Sequence, residues 1–227
     1  MPLVKTKGNN YTWITHAHTH LGGECPHRCI YCYVNSFPFG RPAKYQGPLR
    51  LIEKEFTVNY GSGKTIFIEN CNDLFSAEVP IPMIIRVLEH CKTFPENTYV
   101  FQTKNPDRFG WLVYPERSIF GATIETNRII PGISGAPIPE QRMRAMEKRK
   151  GRKFITIEPV LDFDVEILAS WIDRIRPEFL NLGADSKNHH LPEPTVEKIM
   201  EFTEKLKEYG IELREKHNLS RLVPLTQ

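Results

Sequence analysis

No apolar run in this sequence is long enough to cross a bilayer. A span needs roughly 18 consecutive apolar residues. The uncharged stretch Ile129–Pro139 falls well short of that and holds three prolines. The N-terminal stretch MPLVKTKGNNYTW lacks the apolar core of a signal peptide, so a cytoplasmic protein with no membrane partner is expected. Internal repeats and low-complexity segments are absent. With 40% hydrophobic and 25% charged residues, the 227-residue chain suits a globular core and excludes disorder or a fibre. Cysteine is scarce, at five residues, and in a reducing compartment such thiols serve as ligands or reactive groups more often than as disulfides. The net charge of +3 permits a nucleic-acid partner without arguing for one.

Against these absences stands a regular alternation. Tyr11–His18, Thr65–Glu69, Thr98–Thr103, Ser118–Thr123, Lys153–Ile157 and Glu178–Leu182 read as short buried strands, with a seventh at Ile211–Arg214. Helical spacing marks Pro82–Thr93, Pro139–Lys150, Val165–Ile175 and Thr195–Tyr209, the last through Val196, Ile199, Met200, Phe202 and Leu206. Asn105-Pro106 reads as a further helix start. Alternating strands and helices predict a parallel α/β sheet. The chain is short for a closed eight-unit barrel, which takes about 250 residues. The expectation is a partial (β/α)6 barrel in a single domain over residues 1–227, with a C-terminal helix and short strand over about 194–227. In such folds the chemistry sits at the C-terminal ends of the strands.

Directly after the first predicted strand, in a loop spanning about residues 20–36, comes Cys25-Pro-His-Arg-Cys29-Ile-Tyr-Cys32. Three closely spaced thiolates can hold one corner of an iron–sulfur cubane and leave the fourth iron open. A zinc knuckle would want a second cysteine pair, and none exists; Cys71 and Cys91 are single. C-x3-C-x2-C with Tyr31 just before the third cysteine resembles the signature of the radical S-adenosylmethionine superfamily. The resemblance implies a [4Fe-4S] cluster on Cys25, Cys29 and Cys32, with S-adenosylmethionine chelated by the open iron. It also implies one-electron cleavage to a 5′-deoxyadenosyl radical, and an electron donor of ferredoxin or flavodoxin type.

The same resemblance assigns cofactor-binding roles to residues at the other strand ends. Asn70, Asn72 or Asp73 stands where the superfamily often has a Gly-Gly-Glu-like grip on the methionine amino group, and this chain has no glycine there. Lys104 is placed for the methionine carboxylate, Thr123 and Glu125 for the ribose, and Glu158 for the adenine side or the substrate, with Tyr31 beside the cofactor. Cys71-Asn-Asp resembles the Cys-x-x-Asp region of spore photoproduct lyase, one residue shorter. Cys71 is accordingly the candidate catalytic hydrogen donor, against an inert core thiol. A small phage and archaeal branch of the superfamily is similar in Gly-Lys-Thr-Ile-Phe-Ile…Asp-Leu-Phe and in Ile-Glu-Pro. A nucleic-acid base is the first substrate reading and a peptide or small metabolite the next, received by the loops Phe37–Tyr60 and Pro131–Pro139.

Two other readings compete. His16-Ala-His18-Thr-His20 resembles the H-x-H of metal-dependent amidohydrolase barrels, and the cysteine loop could be a structural metal-binding module. Arg142–Lys153 holds seven basic residues among twelve, read as a solvated helix face ahead of a phosphate contact. Gly61-Ser-Gly-Lys64-Thr65 resembles a phosphate loop but has Val58 where the first glycine belongs, and reads as a turn.

Overall fold

The structure, a computed structural model, describes residues 3–6, 11–37 and 39–223. Pro38 and the last four residues of the expected 194–227 segment lie outside them. The described strands are β1 (Val4–Lys5), β2 (His16–His18), β3 (Leu21–Gly22), β4 (Arg50–Leu51), β5 (Thr65–Ile68), β6 (Thr98–Thr103), β7 (Ser118–Thr123), β8 (Lys153–Ile157), β9 (Phe179–Leu182) and β10 (Glu212–Glu215). The helices are α1 (Ile81–Lys92), α2 (Pro139–Lys148), α3 (Val165–Ile175) and α4 (Val196–Glu208). One sheet runs β1-β2-β5-β6-β7-β8-β9-β10. From β2 to β10 every neighbour is parallel, and β1 adds an antiparallel edge on β2. The two edges do not pair. This is the expected open partial barrel, α/β and parallel, in a single domain.

Period-two alternation divides the strands between two faces. Ile66, Ile68, Phe101, Ile155, Leu180 and their like pack with α1–α4 in the larger core. Phe67, Val100, Ile119, Phe154 and Phe179 form a second cluster on the concave face, joined by Tyr11, Ile14 and Trp13. This cluster explains a departure from expectation. Only His16–His18 of the predicted Tyr11–His18 strand joins the sheet. Tyr11 and Trp13 cross the concave face instead, with Trp13 edge-on to Phe154 and Phe179 at 5.4 and 5.1 Å. Burying two large rings there outweighs the strand pairing they would gain.

Two further departures concern helices. Asn105-Pro106 opens a single 3₁₀ turn, Pro106–Phe109, and no helix; Phe109 packs instead among Phe75, Tyr114 and Phe120. In α4, Ile199, Phe202 and Leu206 are buried, but Val196 and Met200 are 38% and 60% exposed, on the flank of that stripe. Between β2 and β5 the long connection carries the β3–β4 hairpin and three 3₁₀ turns rather than a crossover helix. No helix among the described residues is long and apolar enough to cross a membrane.

Candidate active site

The C-terminal ends of the parallel strands surround one cavity of about 800 Å³, within the size range of cofactor and substrate sites. Cys25, Cys29, Tyr31 and Cys32 border it on the β2 side; Glu158, Lys187, Lys216 and Asn218 border it on the β9–β10 side. Tyr11 borders it from the concave plug, its hydroxyl 2.8 Å from both Gln102 Oε1 and Thr156 Oγ1.

The cysteine loop is shaped by local backbone chemistry. It begins at Gly23, whose φ is +91° and where a Cβ would lie 2.2 Å from the Pro48 carbonyl oxygen, so no other residue fits. The Arg28 amide then donates to the Cys25 carbonyl (3.2 Å) and the Cys32 amide to the Cys29 carbonyl (3.1 Å). These two successive turns turn all three thiols to the cavity, and none is in a disulfide. His27, between the first two cysteines, is pinned by Asp73 at 2.9 Å. The Tyr31 hydroxyl donates to Glu125, and Ser134 Oγ lies 3.2 Å from Cys29 Sγ.

The electrostatics around the loop are those of a buried, charge-sensitive site. Burial and the neighbouring Asp73 carboxylate push the Cys25 thiol up to about 12, and burial likewise raises Cys32. For Lys104, burial works against the ammonium, but Cys29 and Glu125 outweigh it and the group is held charged. Glu125 faces the same burial cost and is kept ionised by Arg142 at 2.6 Å and Lys104 at 3.7 Å.

The sequence-predicted residues fall into two groups. Cys71, Asn70, Asn72, Lys104, Thr123 and Glu158 all line the cavity with the three cysteines and Tyr31. Cys71 is half-buried rather than a core thiol, with the Tyr33 hydroxyl 3.3 Å from its Sγ. Glu158 takes hydrogen bonds from Lys216 Nζ (2.5 Å) and Asn218 Nδ2 (2.9 Å). Asp73 also reaches the cavity, but its oxygens already accept from His27, Thr103, Lys104 N and Phe75 N. Glu125 is not among the cavity-lining residues; Tyr31 and Arg142 take up its carboxylate. Asn70 and Asn72 brace the loop as well, through Thr19 Oγ1 and the Gly23 carbonyl.

Sequence reading missed several members. Lys216 and Asn218 come from the end of β10, and Glu69 clamps the amides of His20 and Leu21 at 2.6 and 3.1 Å. Glu69 carried a usable signal, being a carboxylate at the very end of a strand, with φ +65°. Of the expected substrate loops, Phe37 alone borders the cavity, and Pro131–Pro139 shapes a separate pocket of about 160 Å³.

The competing metal readings find no geometry. His18 bonds the Glu55 carbonyl at 3.2 Å, and His20 is held between Glu69 and Tyr60, each at 2.8 Å. Among the described residues, no three His, Cys, Asp or Glu side chains converge on a point that could hold a single metal ion. The basic run is mostly spoken for. Arg142 is buried on Glu125, Arg149 stacks 3.6 Å over Phe120, Arg152 pairs with Glu178, and Lys153 Nζ donates to the carbonyls of Met146 and Arg149. Its exposed members, such as Lys148 and Lys150, lie at the end of α2 that leads into β8, away from the cavity.

No protein-family model matches the chain, and no curated protein matches it. Solved structures do. A spore photoproduct lyase with bound AdoMet and dinucleoside spore photoproduct aligns with TM-score 0.58 and 13% identity, over 88% of this chain and 63% of that one. A second spore photoproduct lyase structure aligns with TM-score 0.60 and 12% identity over 97% and 78%. SuiB of Streptococcus suis, bound to S-adenosylmethionine, aligns with TM-score 0.57 and 9% identity over 92% and 52%. The chain thus spans less than two thirds of the first of these and about half of SuiB. At such identities the likeness is one of fold: this chain has the partial-barrel fold of the radical S-adenosylmethionine enzymes.

Proposed function

We propose that this protein is a radical S-adenosylmethionine enzyme whose [4Fe-4S] cluster is held by Cys25, Cys29 and Cys32. The observation that carries the reading is the presence of all three cysteines on the wall of the cavity of about 800 Å³ at the C-terminal strand ends. The donor set fits the group. Three cysteine thiols, none in a disulfide, border one cavity, and cysteine thiolates are the ligands that iron–sulfur clusters take. Three ligands spread along a cavity suit a multi-iron cluster better than a single ion. When bound, the cluster and S-adenosylmethionine would together supply the reductive cleavage that generates a 5′-deoxyadenosyl radical.

The protein's own residues then hold, orient and exclude. Lys104 offers a fixed cation beside Cys29 for an anionic group such as a carboxylate. Asn70, Asn72, Thr123 and Glu158 supply polar contacts around the cavity. Tyr31, Glu125 and Arg142 fix the second turn of the cysteine loop, and His27 with Asp73 fixes the first. Tyr11 closes the concave side against water. Cys71, with Tyr33 beside it, is positioned to return a hydrogen atom to a substrate radical. The substrate read first is a nucleic-acid base, because Tyr33, beside Cys71, and Phe37, edge-on to it at 5.8 Å, put aromatic rings on the cavity wall.

The test is anaerobic incubation of the dithionite-reduced protein with S-adenosylmethionine, scored for 5′-deoxyadenosine and methionine. Release of both, abolished in Cys25→Ala, Cys29→Ala and Cys32→Ala, is the expected result. Cofactor that survives intact in iron-loaded protein would refute the reading.

A further inference from the structure

We infer that the end of the cavity at the β9 and β10 strand ends is an anion subsite, where Lys187 and His217 receive an oxyanion of the substrate, a phosphate or a carboxylate. The inference rests on the functional reading above and deepens it by fixing the charge of the substrate at that site.

Two segments build this end as one piece. β9 and β10 pair in parallel with Leu182 opposite Glu215, and the chain beyond each strand stays bonded to the other. The Lys216 amide donates to the Leu182 carbonyl at 2.8 Å. Asn218 Nδ2 donates to the Ala184 carbonyl at 2.6 Å and to Ser186 Oγ at 2.9 Å, and Arg221 Nε to the Asp185 carbonyl at 3.3 Å. Asp185, 4% exposed, folds the segment after β9 back on itself by accepting from the Lys187 and His189 amides. Gly183 permits the close approach, since a Cβ there would lie 2.8 Å from Asn218 Oδ1 and 3.1 Å from the Glu158 carboxylate. The Lys187 amide is thus anchored while the residue, like His217, is exposed. Both border the cavity.

The charges around the cavity say what belongs there. Each carboxylate on its wall already has a partner from the chain: Glu69 has the His20 and Leu21 amides, Asp73 has His27, Glu158 has Lys216, and Asp185 has His189 at 2.7 Å. Two acidic residues nearby in sequence do not alter this. Arg214 lies over Phe179 on the concave face at 3.5 Å, so Glu215 points to the opposite face, and Glu193 pairs with Arg221. Lys104, on the cysteine side, faces Glu125 at 3.7 Å and serves the cofactor in the reading above. Lys187 has no ion pair among the described residues, and neither has His217. An unpaired ammonium on a cavity wall draws an oxyanion to it, and His217 adds a ring N–H donor whether or not it is protonated. The cofactor takes the cation at one end, which leaves the other to the substrate.

The experiment titrates two probe anions, inorganic phosphate and acetate, into anaerobically purified, iron-loaded protein saturated with S-adenosylmethionine. Their phosphorus and carbon NMR line widths report binding. The expected result is saturable broadening of at least one probe, weakened about tenfold in Lys187→Gln and restored in Lys187→Arg. The tighter probe names the source of the oxyanion: a nucleotide if phosphate, an acidic metabolite if acetate. Broadening of neither probe would overturn the subsite and leave Lys187 a solvated surface side chain. Equal binding in Lys187→Gln and the unaltered protein would overturn it too, because the anion would then sit elsewhere. Cleavage of S-adenosylmethionine by the same preparation is scored separately. Its absence would overturn the functional reading, and with it the assignment of the anion to a substrate.

Discussion

His27 and Asp73, separated by 46 residues in sequence, meet at 2.9 Å with both side chains almost wholly buried. The contact joins the middle of the cysteine motif to the turn that follows β5. Burial alone would raise the Asp73 pKa, but His27, Thr103 and the Lys104 amide hold it at about 2. Breaking a buried, hydrogen-bonded pair of this kind from one side costs about 3–5 kcal/mol. Asp73→Ala is therefore expected to lower the melting temperature of the iron-free protein markedly and to reduce the iron retained after reconstitution. Melting and iron content matching the unaltered protein would contradict that role.

Two arginines on α2 offer a contrast in burial. Arg142 and its partner Glu125 are 4% and 3% exposed, while Arg144 and Glu140 are 65% and 47% exposed. Arg142→Met should destabilise by about 3–5 kcal/mol, since Glu125 would be left buried with the more distant Lys104 as its remaining cation. Arg144→Met should cost less than about 1 kcal/mol. Chemical denaturation of both variants checks this; equal midpoints would contradict it.

Acid should weaken the fold through two histidines whose charged form the native state disfavours. Burial, and then His20, lowers the His18 pKa from 6.5 to about 4, and burial does the same to His90. Across that window the unfolded chain binds protons that the native histidines refuse, so stability rises with pH and is lost on descending from 6.5 towards 4. Below the folded values both states are protonated and this slope vanishes. Urea unfolding of the iron-free protein over this range should show the loss, with a shallower slope in His18→Gln. A flat profile would contradict the assignment.

Cys71 separates cofactor chemistry from substrate chemistry. Cys71→Ala should leave S-adenosylmethionine cleavage in the absence of substrate unchanged. With substrate present it should alter the product, because the group proposed to return the hydrogen atom is gone. Chromatography of the products decides it: an unchanged product ends the proposal, and loss of cleavage without substrate would place Cys71 in cofactor binding instead.

What could be read from the sequence was what is local in it. The strands β5 to β9 follow from β-branched and aromatic runs of four to six residues, each buried on both faces of a parallel sheet. The cysteine spacing is likewise a local pattern. Pairings between distant residues were not legible. Tyr11 and Trp13 have strand-like composition, yet the concave face claims them because Phe154 and Phe179, far along the chain, leave rings there to pack against edge-on. Lys216 meets Glu158 across 58 residues, and the His27 side chain gives no local sign that Asp73 will hold it. Arg142 lies in a run whose other members are largely surface residues; only the fold turns its guanidinium inward to Glu125.

The central claim is that Cys25, Cys29 and Cys32 hold a cluster with one iron open to S-adenosylmethionine. Its most direct test is iron and sulfide analysis of anaerobically purified protein, followed by electron paramagnetic resonance of the reduced form with and without that cofactor. The account predicts about four irons per chain, a cluster signal that shifts when S-adenosylmethionine is added, and loss of both in Cys29→Ala. Zinc in place of iron, or a cluster signal indifferent to the cofactor, would contradict it.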